Sequence, residues 1–494
     1  MLLTRLYDTS IAKGLLKINM SHPSVSSSIS SSELLDAITQ GCDERVHINA
    51  ETHRNKYHLN PIDTVGLLQR GSCTANVLTP SGFETAYDFL EKYHELSYES
   101  LLESQSQRLK NLVQSEFKDP FDVFFAPSGS DLVYYPLMFQ RLLNPDRQLI
   151  NIVSCPKELG SGSLLASEGQ FYGTCNQFGE AITKGASVDP ERDVEVHYLS
   201  ARAEDGSILD RTAAFQRVID ENPEAAIVGS LVLGSKSGIK DDLKVIQPES
   251  ETMWVVDLCQ FRVDRTLIHE LIERGVMVML TGSKFFQAPP FCAALLVPRT
   301  WCERLRAAQD PSPIAPFAKL FSAYDVPWYM SELRAQLPKR ENKGLRLRWE
   351  IALREMEAYN HWSFEETEAV INTWSHGVMR HLEASPHFKL MPDQLKTNPS
   401  IISFQVWRSG RALNHAELTT LFKEVCTAEH IGLSGDMKRV FFGQPVSYGE
   451  QSFIRIAIGA NSIRRFLELG EIDLSDDLRL IQILEEYVQV LFTS

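Results

Sequence analysis

Six short, mostly apolar runs between residues 122 and 297 constrain the fold of this chain more than any other feature. Stretches of helical or loop character separate them. Apolar runs of this length are typical of strands buried on both faces, and their alternation with helices predicts a mainly parallel sheet in an α/β domain. The runs are Asp122–Ala126, Leu149–Val153, Ala226–Leu233, Trp254–Val256, Val276–Leu280 and Ala293–Val297.

The chain of 494 residues is long enough for several domains. Residues 1–32, which end in a serine-rich tract, are interpreted as a disordered or targeting extension, and residues 33–95 as an N-terminal arm. A large domain is predicted over 96–350, opening with an amphipathic helix at 96–118. A charged helix at 341–360 then leads into a small α+β domain over 361–494. In that domain we expect strands at 401–406, 439–442 and 453–458, with helices at 415–427 and 475–492.

The composition excludes several classes of function. The net charge is -15 and basic residues do not cluster, which argues against nucleic acids and anionic membranes as partners. No apolar run approaches the ~20 residues that a membrane-spanning helix needs. Eight scattered cysteines without a CxxC pair argue against a metal site and favour reduced thiols in the cytoplasm. The N-terminal extension leaves an organellar matrix as the alternative compartment.

A lysine at the end of an apolar strand is the most informative single residue. Lys284 follows the run Val276–Leu280, and Phe285 comes directly after it, so a solvated charge is poorly placed here. Burial disfavours the charged form of lysine, and a neutral amine is what condenses with an aldehyde. Asp257 ends a neighbouring strand, with Gln260 three residues later. A carboxylate there can pair with a pyridinium nitrogen.

A polar turn upstream has the pattern of a phosphate site. Ser128, Gly129, Ser130 and Asp131 lie between a strand and a helix, where backbone N–H groups and hydroxyls can bind phosphate. Thr281 offers another hydroxyl. Each feature also has an ordinary interpretation: the turn as a helix cap, the aspartate as a strand-end cap, and the lysine as a surface residue. The order and spacing of all three together are what is specific.

In that order and spacing the sequence resembles the fold-type-I enzymes that use pyridoxal 5′-phosphate (PLP), the aspartate aminotransferase superfamily. It is most similar to the branch of class V aminotransferases and cysteine desulfurases. The resemblance implies a Schiff base on Lys284, which also moves the substrate proton, and a homodimer with its sites at the subunit interface. It implies these cofactor-binding residues: Ser128, Gly129, Ser130, Asp131, Asp257, Gln260, Thr281 and Ser283.

The resemblance also implies a substrate clamp, and it has departures. Arg455, within Phe453–Ile458, matches the arginine that binds the substrate α-carboxylate; an edge-strand arginine facing solvent is the alternative. Ser283 stands where the family usually has histidine. The residue that stacks on the ring is undefined, and Glu158 is an unusual residue for its neighbourhood. The loop 235–238, Ser-Lys-Ser-Gly, replaces an Asn-x-x-Gly pattern.

Three functions remain open at this stage. The first is an aminotransferase that acts on a small amino substrate. The second is a lyase or a cysteine desulfurase, for which Cys426 is the only thiol well beyond the lysine, although it lies in a helical pattern typical of core. The third is a non-enzymatic protein on the same fold. Two arm segments, 55–57 and 70–76, are expected at the surface, with substrate selectivity or contact with a partner's cofactor as the alternatives.

Overall fold

The computed structural model describes residues 29–63, 66–113, 121–160, 162–247 and 250–492, and its strands form two sheets of seven and six strands. The predicted extension falls almost wholly on residues 1–28, outside the described part. The strands are β1 (Gly66–Arg70), β2 (Phe121–Ala126), β3 (Leu149–Ser154), β4 (Val194–Leu199), β5 (Ala226–Val232), β6 (Met253–Asp257), β7 (Met277–Thr281), β8 (Ala293–Pro298), β9 (Phe388–Leu390), β10 (Ile401–Arg408), β11 (Arg411–Ala412), β12 (Met437–Tyr448) and β13 (Gln451–Ala457).

Helices cover both faces of the larger sheet and one side of the smaller one. The described helices are α1 (Ser31–Thr39), α2 (Pro80–Lys92), α3 (Tyr98–Val113), α4 (Gly129–Leu132), α5 (Tyr134–Leu143), α6 (Ser163–Ser167), α7 (Thr212–Glu221), α8 (Arg265–Glu273), α9 (Arg299–Arg306), α10 (Ser331–Ala335), α11 (Lys343–Tyr359), α12 (Phe364–Ala384), α13 (His415–Thr427), α14 (Ala460–Leu469) and α15 (Ser475–Leu491). Among these helices, none has both the length and the apolarity required to cross a bilayer.

The larger sheet has the strand order β2-β8-β7-β6-β5-β3-β4. The pairs from β7 to β4 are all parallel, as the sequence predicts, and β8 runs antiparallel to both of its neighbours. The reason for the exception is local: no helix lies between Thr281 and Ala293, so the chain turns back without the crossover that a parallel pair needs. Because β2 and β7 both run antiparallel to β8, all the strands of this sheet except β8 end at the same edge.

The smaller sheet combines the C-terminal region with one strand of the N-terminal arm. Its order is β1-β12-β13-β10-β11, with β9 added beside β10. The arm strand pairs in parallel with β12, so that Leu68 is aligned with Val440. Buried side chains from the arm and from both sheets, such as Leu34, Val256 and Ile454, share one hydrophobic cluster. The predicted domain boundaries stay predictions, since this shared core crosses them.

Two predicted helices differ from those observed. The helix expected after the turn 128–131 is divided at Val133 into α4 and α5, and Ser128 and Asp131 form the capping box that begins α4. The charged helix predicted at 341–360 is α11, which is buried rather than a solvated connection. Arg348 on this helix donates to the carbonyl oxygens of Ile38 and Gln40, each at 2.6 Å. It thereby satisfies the free carbonyls where α1 ends.

Candidate active site

The candidate site lies at the edge where the like-directed strands of the larger sheet end. Asp257 is the last residue of β6 and is aligned with Met279 on the neighbouring parallel strand, β7. Lys284 follows the end of β7. Both side chains are half-buried, and within the described chain neither has an ion-pair partner. The charges of both residues act on the thiol of Cys259, and an aspartate and a lysine that lie close together without pairing can serve two different atoms of one ligand.

Cys259 joins three of the predicted elements. Its backbone N–H donates to Asp257 Oδ1 at 2.8 Å, and its carbonyl oxygen accepts from Thr281 Oγ1 at 2.8 Å. Its sulfur lies beside the predicted phosphate turn, so that a Cβ added to Gly129 would meet Sγ at 3.0 Å. The Thr281 hydroxyl thus donates its proton to the Cys259 carbonyl. Through Cys259, the ends of β6 and β7 are held beside the turn 128–131.

The ends of the predicted phosphate turn are occupied by a buried network. Ser128 Oγ donates to Asp131 Oδ2 at 2.7 Å and accepts from Arg45 Nη2 at 3.0 Å, while Tyr172 donates to Asp131 Oδ1 at 2.7 Å. Burial and the nearby charge of Asp43 raise the pKa of Asp131 to about 6. The side chains of Ser128 and Asp131 therefore hold the turn in place, as the helix-cap interpretation expects.

The middle of the turn is open to a ligand. Gly129 and Ser130 are the first residues of α4, so their N–H groups have no acceptor within the helix. Ser130 Oγ has one hydroxyl neighbour, Ser163 Oγ at 3.2 Å. A Cβ added to Gly160 or Gly162 would lie 3.4 Å or 3.1 Å from Ser130 Oγ. Two glycines, two hydroxyls and free N–H groups form a small polar cradle of the kind that binds phosphate.

The arm segment 72–76 lies across this site, which corrects the expectation that it is a surface segment. Gln260 Nε2 donates to the Ser72 carbonyl at 2.8 Å, Thr74 Oγ1 donates to Ser283 Oγ at 2.7 Å, and Asn76 Nδ2 donates to the Ser283 carbonyl at 2.6 Å. Ser72 and Asn76 are buried. Asn55 and Tyr57, from the other segment expected at the surface, are buried as well.

Arg455 on β13 is buried rather than solvent-facing. Its side chain is 1% exposed, and Nη1 donates to the Gln444 carbonyl at 2.7 Å. Its Nε lies 3.4 Å from Ser72 Oγ, which connects it to the arm segment. Among the described residues no carboxylate pairs with it, and burial lowers the pKa of its guanidinium. A buried cation without a counter-ion suits the binding of a substrate carboxylate.

Glu158 is the centre of a second buried network. It receives hydrogen bonds from Ser235 Oγ, from Ser237 N at 2.9 Å and from Tyr448 OH at 2.9 Å, and Arg202 Nε lies at 3.5 Å. Although burial acts to raise the pKa of Glu158, the charge of Arg202 and these donors hold it below its usual value. The carboxylate thereby fixes the loop 235–238.

Two residues beside the site are given no role in it by the resemblance. Lys236 is half-buried, and burial together with the charges of Arg455 and Lys284 lowers its pKa to about 8. Cys73 is half-buried beside the same three cations, and burial raises the pKa of its thiol. The sequence marks the position of Lys236, because the loop 235–238 departs from the Asn-x-x-Gly pattern. Cys73 carries no such signal, since its approach depends on the folding of the arm.

No family model matches this chain, and no curated protein does either. Solved structures do. Alanine–glyoxylate aminotransferase from Nostoc sp. is 12% identical, with a TM-score of 0.54 over 87% of this chain and 97% of that one. A NifS-like protein from Rickettsia africae is 11% identical, with a TM-score of 0.53 over 85% of this chain and 99% of that one. The 4-hydroxyphenylacetaldehyde synthase from Rhodiola rosea is 11% identical, with a TM-score of 0.53 over 88% of this chain and 85% of that one. The chain has fold type I.

In this fold-type-I chain the one late thiol considered for sulfur chemistry is out of reach. Cys426 lies on α13, is fully buried and packs in the hydrophobic core. Burial raises its pKa, which disfavours the thiolate that a nucleophile requires. Cys426 is therefore core, as its helical pattern indicates.

Proposed function

We propose that the protein is a PLP-dependent enzyme that acts on an amino acid, and that it is an aminotransferase. The observation that carries the proposal is that Lys284 and Asp257, neither in an ion pair among the described residues, both lie close to Cys259, whose sulfur borders the turn at Gly129 and Ser130. The N–H groups and hydroxyls of the cradle suit the phosphate, Asp257 suits the ring nitrogen, and Lys284 suits the aldehyde. Fold type I supports the proposal, since the similar structures include aminotransferases.

Bound PLP supplies an aldehyde that takes up amino groups and a protonated ring that accepts electrons from the substrate. The protein's own residues supply the rest. Lys284 Nζ is placed to take the substrate α-proton and to return it, which is general acid–base catalysis. Arg455 holds the carboxylate and thereby orients the α-hydrogen. The arm segment 72–76 and the loop 235–238 cover the pocket and limit the access of water.

The test is a half-reaction with a panel of amino donors. The purified protein is saturated with PLP, one donor is added without a keto-acid acceptor, and the visible absorbance band of the bound cofactor is followed. We expect the band to be lost in step with the release of one equivalent of keto acid. Arg455→Ala should keep the band and weaken the binding of donors that carry a carboxylate. Release of carbon dioxide or of sulfide instead of a keto acid would contradict transamination.

A cysteine desulfurase is the second candidate, and one observation favours it. Cys73 is a half-buried thiol on the arm segment, close enough to Lys284 for its pKa to respond to that charge. The raised pKa of Cys73 argues against a thiolate at neutral pH, and for this reason we rank transamination first. Alanine formation from cysteine that disappears in Cys73→Ser would reverse this order.

The cradle gives a prediction about the cofactor. Ser130→Ala removes a hydroxyl that is placed to donate to the phosphate, and a hydrogen bond to a charged group contributes about 1.5–3 kcal/mol. We expect PLP retention to weaken by about 10- to 150-fold, measured by equilibrium dialysis. The control is Ser331→Ala, at an exposed serine outside the site. Equal retention in both variants would mean that the turn is only a helix cap.

We also propose that the protein works as a homodimer, as the resemblance to fold-type-I enzymes implies. Light scattering on a size-exclusion column should give twice the mass of the chain, which is 55.9 kDa. Activity per chain should then fall on dilution below the dimer dissociation constant. A monomer of constant specific activity across that range would contradict the proposal.

A further inference from the structure

The loop 235–238 places a lysine at the mouth of the candidate site. It follows the end of β5, and Glu158 fixes it on both sides of Lys236 through Ser235 Oγ and through the backbone and hydroxyl of Ser237. The Lys236 N–H donates to the Glu158 carbonyl at 3.3 Å. Four hydrogen bonds to Glu158 therefore hold the loop at Lys236 and at the residues on either side of it.

Ser72 brings this lysine beside the candidate carboxylate clamp. The Ser72 hydroxyl donates to the Lys236 carbonyl at 3.3 Å, and Ser72 Oγ also accepts from Arg455 Nε at 3.4 Å. The Ser72 hydroxyl thus links the backbone of Lys236 to the guanidinium of Arg455. Lys284 is near enough to both Lys236 and Cys73 for its charge to act on them.

Around Ser72 the cationic side chains outnumber the carboxylates that could pair with them. Lys236 has no hydrogen-bond or ion-pair partner for its ammonium group within the described chain, and Arg455 has no carboxylate partner there. Glu158, the carboxylate nearest to this loop, is paired with Arg202 at 3.5 Å. The low pKa of Lys236 reflects the energetic cost of holding its charge unpaired. An anionic ligand would remove this cost.

We propose that Lys236 binds a second acidic group of the substrate, so that the enzyme selects amino and keto acids that carry two acidic groups. This rests on the proposed function, in which Lys284 is occupied by the cofactor and Arg455 by the α-carboxylate. Of the three cations Lys284, Arg455 and Lys236, those assignments leave Lys236 without a partner among the described residues. A neutral or apolar side chain at this position would leave the ammonium unpaired, which disfavours such substrates.

The test measures binding rather than turnover. Succinate, 3-phosphonopropionate and butyrate are titrated by calorimetry into the PLP-saturated protein and into Lys236→Met, Lys236→Arg and Lys240→Met. Lys240 is exposed and lies in the same region, so it is the matched control. We expect the wild type to bind at least one dianionic probe about tenfold or more tightly than butyrate, the size of one charge-assisted hydrogen bond. The comparison of the two dianions shows whether carboxylate or phosphate is preferred.

Lys236→Met should lose this preference while butyrate affinity stays within about twofold; Lys236→Arg and Lys240→Met should keep it. An equal loss for all three probes, or a wild type that binds butyrate as well as the dianions, would overturn the proposal. The absorbance spectrum separates it from the proposed function. If the protein does not hold PLP on Lys284 but still prefers dianions through Lys236, the proposed enzyme function is wrong. The proposal of an anion site at Lys236 would then still hold.

Discussion

Lys284→Ala is expected to abolish turnover with every amino donor. Acid–base catalysis by a positioned side chain contributes about 10²–10⁴ in rate, and this variant also loses the covalent attachment of the cofactor. The loss should therefore exceed that range. PLP could still bind through the cradle at Ser130, but without its lysine-bound absorbance band. The measurement combines the spectrum with the single-turnover rate of α-hydrogen exchange in deuterium oxide.

The matched controls for this variant are two other lysines. Lys240→Ala should behave as wild type, because Lys240 is exposed. Lys236→Ala should keep the absorbance band and the exchange rate for donors with one acidic group. If a Lys284→Ala protein exchanges the α-hydrogen within about tenfold of the wild-type rate, a base other than Lys284 removes the substrate proton. Lys236 would then be the next amine to test.

Of the substitutions considered, Glu158→Ala is expected to lower the free energy of unfolding the most. Arg202 is 2% exposed, and removing the carboxylate would leave its charge buried and unpaired. Removing one partner of a buried ion pair costs about 3–5 kcal/mol. The donors Ser235, Ser237 and Tyr448 also lose their acceptor. Urea denaturation should show a midpoint far below that of the wild type.

Glu204→Ala is the control for this prediction, since Glu204 is an exposed acid in the same region. Its midpoint should match the wild type. Because Glu158 also holds the loop around Lys236, Glu158→Ala should weaken succinate binding even at low denaturant. A Glu158→Ala protein with an unchanged urea midpoint would mean that the buried network contributes little to folding.

Much of the fold follows from local patterns in the sequence. The short apolar runs become strands of the larger sheet, because a segment apolar on both faces is stable only between neighbours in a sheet. Placing Lys284 and Asp257 at one edge follows from the same argument, since parallel strands end together. The antiparallel β8 was not predicted, because its direction depends on a connection without a helix rather than on the strand's own residues.

The contacts made by the arm could not be predicted from periodicity. Ser72 and Asn76 meet Gln260 and Ser283 across about two hundred residues of sequence, and nothing local marks them as buried. The roles within the phosphate turn were also not separable, because Ser128 and Ser130 have the same side chain. Only the position of Arg45 and Tyr172 distinguishes the serine that caps the helix from the serine that faces the cradle.

The most direct test of the central claim is to locate the cofactor on the chain. The protein is incubated with PLP, reduced with sodium borohydride, digested with trypsin and mapped by mass spectrometry. The predicted result is one phosphopyridoxyl group per chain, on the peptide that contains Lys284. Attachment at Lys236, or retention of PLP without a reducible link to any lysine, would contradict the account.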